Sequence, residues 1–218
     1  MTTDVDRALA ELVEAGAVAA GTTPGEVVDL IVSHARSLDG LERFTGLETL
    51  SLIACDVGDY SVLSLLSGLH VLAVENSDLA DVSPVAGLPL QVLSLRRNRI
   101  RDASAIIALD GLQVLDLTGN PLDPPSRSAA GALEGVLVTL DDPALADVNV
   151  DLADAGVPLV GYRVGDEVWG CSTGLGLTAH PEAGHVVTSL EDLEAVARGD
   201  RDAGDLLGVR TDDAQEDT

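Results

Sequence analysis

Three residues in the last third of the chain carry side chains that could do chemistry: Cys171, His180 and His185. A thiol beside an imidazole is the pair that covalent catalysis uses, because the imidazole can take the thiol proton. Thiolate and imidazole are also zinc ligands. The spacings of nine and five residues match no zinc pattern, and a fourth ligand would have to be an Asp or Glu. A small enzyme or metal site here is therefore an alternative, set behind a reading in which the chain is not an enzyme and holds no cofactor or metal. Asp200–Asp205 is not a calcium loop, since its acids, its Gly204 and its missing terminal Glu are out of place. A glycine-rich loop that could cradle phosphate is also absent from the sequence.

The elements that position side chains come from a repeat. Leu90-Gln91-Val92-Leu93-Ser94-Leu95-Arg96-Arg97-Asn98-Arg99-Ile100 reads L-x-x-L-x-L-x-x-N-x-I. In-phase copies start at Leu47, Leu69 and Leu112, at intervals of 22, 21 and 22 residues. Each predicts a short parallel strand with two inward aliphatic residues and an outward residue between them. The ninth position is Cys55, Ser77, Asn98 and Asn120. An Asn there can turn inward and satisfy backbone groups where the chain leaves the strand. Cys55 is read as a structural, buried thiol. Asp59, Asp81 and Asp102 open the return segments, whose apolar pairs are Leu63/Leu66, Val85/Leu88 and Ile106/Leu109.

The pattern L-x-x-L-x-L-x-x-N-x-I-x-D over residues 41–140 resembles the 21–22-residue leucine-rich repeats of internalins and of the phosphatase-regulator (SDS22-like) group. The resemblance implies an α/β fold: a short leucine-rich-repeat solenoid with parallel strands on its concave face. It also implies protein–protein interaction through that face, without naming a ligand. Tyr60, standing where Val82 and Ala103 stand in later copies, departs from the pattern.

The flanking segments read as caps, which a solenoid needs to keep its terminal rungs from water. Residues 1–40 are expected to form an N-terminal helical cap of two helices, about 4–19 and from Thr23-Pro24-Gly25-Glu26 to Leu38. The second has Val27, Val28, Leu30 and Ile31 on one face and a Thr23–Glu26 capping box. Gly135–Leu140 predicts a fifth strand beside Leu115–Leu117. Residues 141–198 predict a small α+β C-terminal unit: a helix after Asp141-Asp142-Pro143, a hairpin from Pro158 to Cys171, a strand at His185–Thr188 and a last helix from Ser189. Residues 199–218 read as an acidic disordered tail, apart from Leu206-Leu207.

On this frame, outward positions stack in columns: Ile53, Glu75, Arg96, Thr118; Ala54, Asn76, Arg97, Gly119; and Asp56, Asp78, Arg99, Pro121. Rungs lie about 5 Å apart, so Glu75 can face Arg96 and Asp78 can face Arg99. Such pairs form either a surface ladder, worth about 0–1 kcal/mol each, or a recognition patch. The partner-binding candidates are Ile53, Glu75, Asp78, Arg96, Arg97, Arg99 and Thr118, with Tyr162 and Trp169 of the C-terminal hairpin. Aromatics and Arg dominate binding hot spots. Trp169 is otherwise core of the small unit.

Composition bounds the rest. Aromatics are 2% against 46% hydrophobic residues, so the core is aliphatic. The net charge is -25, and all twelve basic residues are Arg. Nucleic-acid binding is not expected without a basic footprint. Residues 126–218 hold 19 acids and 5 Arg, the most acidic third. That acidity serves solubility, or it attracts a basic partner. The function expected is a non-enzymatic protein-interaction module. An immunity or inhibitor protein neutralising a basic toxin or nuclease is the alternative that uses the charge. Two cysteines imply no disulfide framework, the acidic start Met1–Asp6 lacks a leader's basic residues, and no stretch suits a membrane. The expected setting is bacterial cytoplasm, and the sequence assigns no oligomeric state.

Overall fold

A computed structural model describes residues 2–208. A six-stranded parallel sheet runs in sequence order through β1 (Asp29–Ser33), β2 (Thr49–Ile53), β3 (Val71–Glu75), β4 (Val92–Ser94), β5 (Val114–Asp116) and β6 (Leu137–Thr139). The register stacks like on like: Leu30, Leu50, Leu72, Leu93, Leu115 and Val138 are successive partners. From Leu30 to Leu115 these side chains are at most 1% exposed. Each leucine packs on the same position of the next rung, so the repeat period becomes a continuous aliphatic core. This is a leucine-rich-repeat solenoid.

The solenoid begins earlier than expected. No helix follows Thr23: Pro24–Glu26 is a single 3₁₀ turn and Asp29–Ser33 is the strand β1. The Thr23–Glu26 capping box does form, with Thr23 N–H donating to Glu26 Oε2 at 2.8 Å. Beyond it, Val27, Leu30 and Val32 are buried, whereas Val28 and Ile31 are 45% and 54% exposed. That is the inward pattern of a repeat with Val in two Leu positions. On a helix Val27, Val28, Leu30 and Ile31 would share one face. β-branched residues favour strands, and β2 offers an edge to pair with. One helix, α1 (Asp4–Glu14), caps this rung with buried Val5 and Ala8.

Polar residues hold the turns. Asn98 donates to the carbonyls of Val74, Leu95 and Arg96 at 2.6, 2.9 and 3.2 Å. Asn120 donates to Leu95 and Leu117 and accepts from Ile100 N–H. Ser77 accepts from Cys55 N–H at 3.0 Å and donates to Glu75 carbonyl. Burial pushes the Cys55 thiol up to about 11, as befits a structural residue. Asp59, Asp81 and Asp102 each accept the N–H two residues on at 2.8 Å, opening 3₁₀ turns at Ser61 and Ser83 and the short helix α2 (Ser104–Ile107). One further column is left-handed: His34, Ala54, Asn76, Arg97 and Gly119 have φ of 55, 55, 52, 57 and 72°. Four non-glycine residues accept this conformation, at about 1 kcal/mol or more each, because the rung geometry demands it.

After α3 (Pro124–Gly131) and β6, the chain forms a lobe with its own core. Helices α4 (Pro143–Asp154) and α5 (Leu190–Ala197) are its long elements. Its sheet is antiparallel: β7 (Leu159–Val164), β8 (Glu167–Ser172) and β9 (Val186–Thr188). Leu145, Val148, Leu152, Leu159, Leu193 and Val196 fill the space between. Asn149 clamps β7 onto α4, accepting from Gly161 N–H at 2.7 Å and donating to its carbonyl at 2.9 Å. Glycine at 161 lets the two elements close up, since a Cβ would lie 2.5 Å from Leu193 Cδ1 and 3.0 Å from Leu145 Cδ2 and force those side chains to shift. Leu206 and Leu207, excepted from the expected disordered tail, are buried in this core, and α6 (Ala203–Leu207) carries the order back to Ala203. Residues 209–218 of that expectation lie outside the described residues.

Candidate functional site

The lobe folds back over the strand ends of the solenoid. Thr173 meets the fourth rung, with Arg99 donating to its hydroxyl at 3.1 Å and to its carbonyl at 2.7 Å. Gly174 N–H donates to Asn76 carbonyl on the third rung at 3.0 Å. Leu175 N–H reaches Asp56 on the second at 3.3 Å. Glu182 meets His34 on the first. Gly174 has φ 64°, and a Cβ on it would lie 3.1 Å from Arg99 Nη2 and 3.3 Å from Asp56 Cγ. Backbone conformation and crowding both favour glycine.

This docking reassigns several residues read as partner contacts. Arg97 is 13% exposed in its side chain. It donates to Asn76 Oδ1 at 2.9 Å and sits 5.2 Å over the Tyr162 ring, a cation–π contact. Tyr162 is buried, and its hydroxyl hydrogen-bonds His185 Nδ1. Burial and the adjacent Cys171 push that phenol up to about 12. The expected Asp78–Arg99 pair is corrected: Asp78 accepts instead from Tyr60 hydroxyl at 2.7 Å and from the N–H groups of Val57 and Gly58. The departure at Tyr60 thus takes the carboxylate that Arg99 was to face.

Cys171, His180 and His185 do not converge. Cys171 is fully buried and accepts from Asn76 Nδ2 at 3.4 Å. Burial pushes its thiol up to about 12, so no reactive thiolate forms near neutrality. His185 is turned to Tyr162, and burial followed by the Arg97 charge lowers its pKa. His180 lies instead beside Glu182, its Nδ1 3.4 Å from Oε1.

The face of the sheet stays open. Glu75 and Arg96 pair there through two contacts of 2.7 Å. Ile53 and Thr118 flank them, half-buried. Across the outward side of the strands run Val71, Val92, Val114 and Leu137, in register and rising to 69% exposure at Leu137. Beside this row run the smaller Ser51, Ala73 and Ser94, with Asp116. Sequence reading passed over these strand residues for those just past the strands; the x positions of L-x-x-L-x-L were the signal. Trp169 is half-buried at the lobe's edge, its indole N–H donating to Glu167 at 3.3 Å, in register with Tyr162 and with Val187, which is 57% exposed.

The fold and this surface define a leucine-rich-repeat solenoid with a C-terminal lobe docked along one edge of its concave sheet. No protein-family model matches the chain, and no curated protein does. Two solved structures from Listeria monocytogenes str. 4b F2365 are similar to it. An internalin (inlF) is 19% identical, with 69% of this chain and 63% of that chain covered, at a TM-score of 0.36. Internalin C2 (inlC2) is 17% identical, with 58% and 70% covered, at a TM-score of 0.40. The chain spans less than two thirds of the inlF structure. Among the described residues, no helix is long and apolar enough to cross a membrane.

Proposed function

We propose that the chain is a non-enzymatic protein-binding module whose partner lies on the open strand face, between the Glu75–Arg96 pair and the Val71–Leu137 row. The observation that carries this reading is the composition of that face. Ser51, Ala73, Ser94 and the Val71–Leu137 row are small or aliphatic, with Asp116 and the Glu75–Arg96 pair as the charges beside them, and such a centre desolvates at little cost while the charges set register. In a second reading the partner is basic, a toxin or nuclease that the chain neutralises. The net charge of -25 favours it, because opposite charge steers association.

One capture experiment from the source cell tests both. Ala73→Arg places a bulky cation on the strand face, and Leu65→Arg changes a 63% exposed residue away from the sheet. The wild type and Leu65→Arg are expected to retain the same protein, and Ala73→Arg to lose it. Retention by Ala73→Arg at wild-type affinity removes the strand face from the proposal. Affinity that stays level from low to high salt removes the basic partner, since charge-steered binding is screened.

A further inference from the structure

The far end of the lobe meets the first rung through a group of side chains that neither the solenoid core nor the partner face uses. His34 ends β1 in the left-handed column, with φ 55° and its N–H donated to Ile53 carbonyl at 3.0 Å. Opposite it, the turn His180–Gly184 is held by two N–H bonds to His180 carbonyl. The turn is pinned to the third rung by Asn76 Nδ2, which donates to Pro181 carbonyl at 3.4 Å. The backbone on both sides is therefore fixed before the side chains are considered.

Glu182 Oε1 lies 3.0 Å from His34 Nε2 and 3.4 Å from His180 Nδ1. The donor atoms of these three residues lie within 4.8 Å of one another, and the two imidazoles meet edge to face at 5.2 Å. Ligands bound to one tetrahedral zinc at about 2.0–2.1 Å are themselves about 3.3–3.4 Å apart. The two separations from Glu182 Oε1, 3.0 and 3.4 Å, are close to that value, and the imidazole nitrogens lie within 4.8 Å of each other. The other carboxylate oxygen, Glu182 Oε2, is buried without a hydrogen-bond partner. A buried carboxylate oxygen in that state is costly, and a cation on the same carboxylate offsets part of that cost by neutralising its charge.

We propose that His34, His180 and Glu182 form a divalent-cation site of the zinc class that clasps the lobe to the first rung. Two imidazole nitrogens and one carboxylate oxygen suit zinc and disfavour calcium or magnesium, which take all-oxygen sets. Three protein ligands leave a coordination position for water. His180, 70% exposed, gives the ion a way in. The acidic surface concentrates cations around that entrance. The clasp joins residues 148 apart in sequence, so the bound ion closes a long loop and holds the lobe down where its covalent connection is most distant.

The test uses the full chain stripped of metal. Zinc is titrated calorimetrically, and cobalt serves as a visible-absorption probe of a tetrahedral site. One ion per chain is expected, with a higher melting temperature when zinc is present. His180→Ala and Glu182→Gln change half-buried or exposed side chains and leave the metal-free fold intact. Loss of an outer partner of a metal ligand already costs about 10–100-fold in affinity, so these variants are expected to lose at least that. His70→Ala, which removes an imidazole outside the cluster, is expected to bind as the wild type does. Absence of one-to-one binding overturns the proposal, and so does equal affinity in the wild type, His180→Ala and Glu182→Gln.

Discussion

The concave side of the solenoid divides into a strand face and a ridge at the strand ends, and the two meet the rest of the chain differently. On the face stand Val71, Ala73, Val92, Ser94 and Val114, half-buried, with the Glu75–Arg96 pair at the border. On the ridge, His34, Asp56, Asn76, Arg97 and Arg99 each touch the C-terminal lobe. The ridge has the richer side-chain chemistry and is covered. The face has the plainer chemistry and is open. Arg is enriched at hot spots between proteins. Arg97 and Arg99 make that kind of contact here inside one chain, as inter-domain contacts resemble those between proteins. Residue type marks a recognition surface without saying whether the partner is another molecule.

Both regions hang on one aliphatic ladder, so the largest effect should come from breaking it beneath them. Leu93 is fully buried between Leu72 and Leu115. Leu93→Ala is expected to cost about 2–5 kcal/mol by loss of contacts and creation of a cavity. Thermal and urea melts measure it. A cost below about 1 kcal/mol would refute the register that puts Leu93 inward and Val92 and Ser94 outward.

The junction of solenoid and lobe should respond to pH. Asp141 accepts from Gly119 N–H at 2.7 Å and from Asn149 at 3.3 Å, while Oδ1 is buried without a partner. Burial raises its pKa from 3.8 to about 7, against the pull of the Gly119 N–H. A carboxyl whose pKa rises on folding stabilises the folded chain when protonated. Its contribution is full below about pH 4, declines through the window from 4 to 7 and is gone above it, for a total of no more than about 4 kcal/mol. Asp141→Asn keeps an acceptor for Gly119 and removes the titration. Urea midpoints at pH 5 and pH 8 should therefore fall more for the wild type than for Asp141→Asn, and other carboxylates cancel in the difference. Equal slopes would mean that Asp141 is already charged in the fold.

The ladder was legible because its signal repeats: the same residue types return every 21–22 positions, and each copy checks the others. The first rung escaped because Val27 and Val32 replace Leu and Ala35 replaces the Asn, leaving apolar residues that also fit a helical face. The left-handed column was hidden for a related reason, since His34, Ala54, Asn76 and Arg97 lack the glycine that usually announces such a φ. The hairpin and the helices α4 and α5 of the lobe were readable from local turn and cap residues, and α6 was not. Its docking was not. Arg99 to Thr173 and His34 to Glu182 join residues 74 and 148 apart, with no period to reinforce them. Glu182 is one acid among 37 until the fold brings it to His34.

Two adjacent arginines straddle the boundary between ridge and face and make the finest test of the division. Arg97 is 13% exposed, bonded to Asn76 and stacked over Tyr162. Arg97→Ala leaves Asn76 Oδ1 without its donor and Tyr162 without its cation, at an expected cost of about 1–3 kcal/mol. Arg96 is 39% exposed, and its two bonds to Glu75 are part-buried on the face, within reach of water. Water replaces those bonds and salt screens them, so Arg96→Ala should cost about 0–1 kcal/mol. Urea unfolding of the two variants and of the double variant supplies the comparison. If the ridge belongs to the lobe interface, the large effect stays with Arg97 and persists at high salt. The small effect stays with Arg96 and fades. A reversal of that order would place the interface on the face and leave the ridge free.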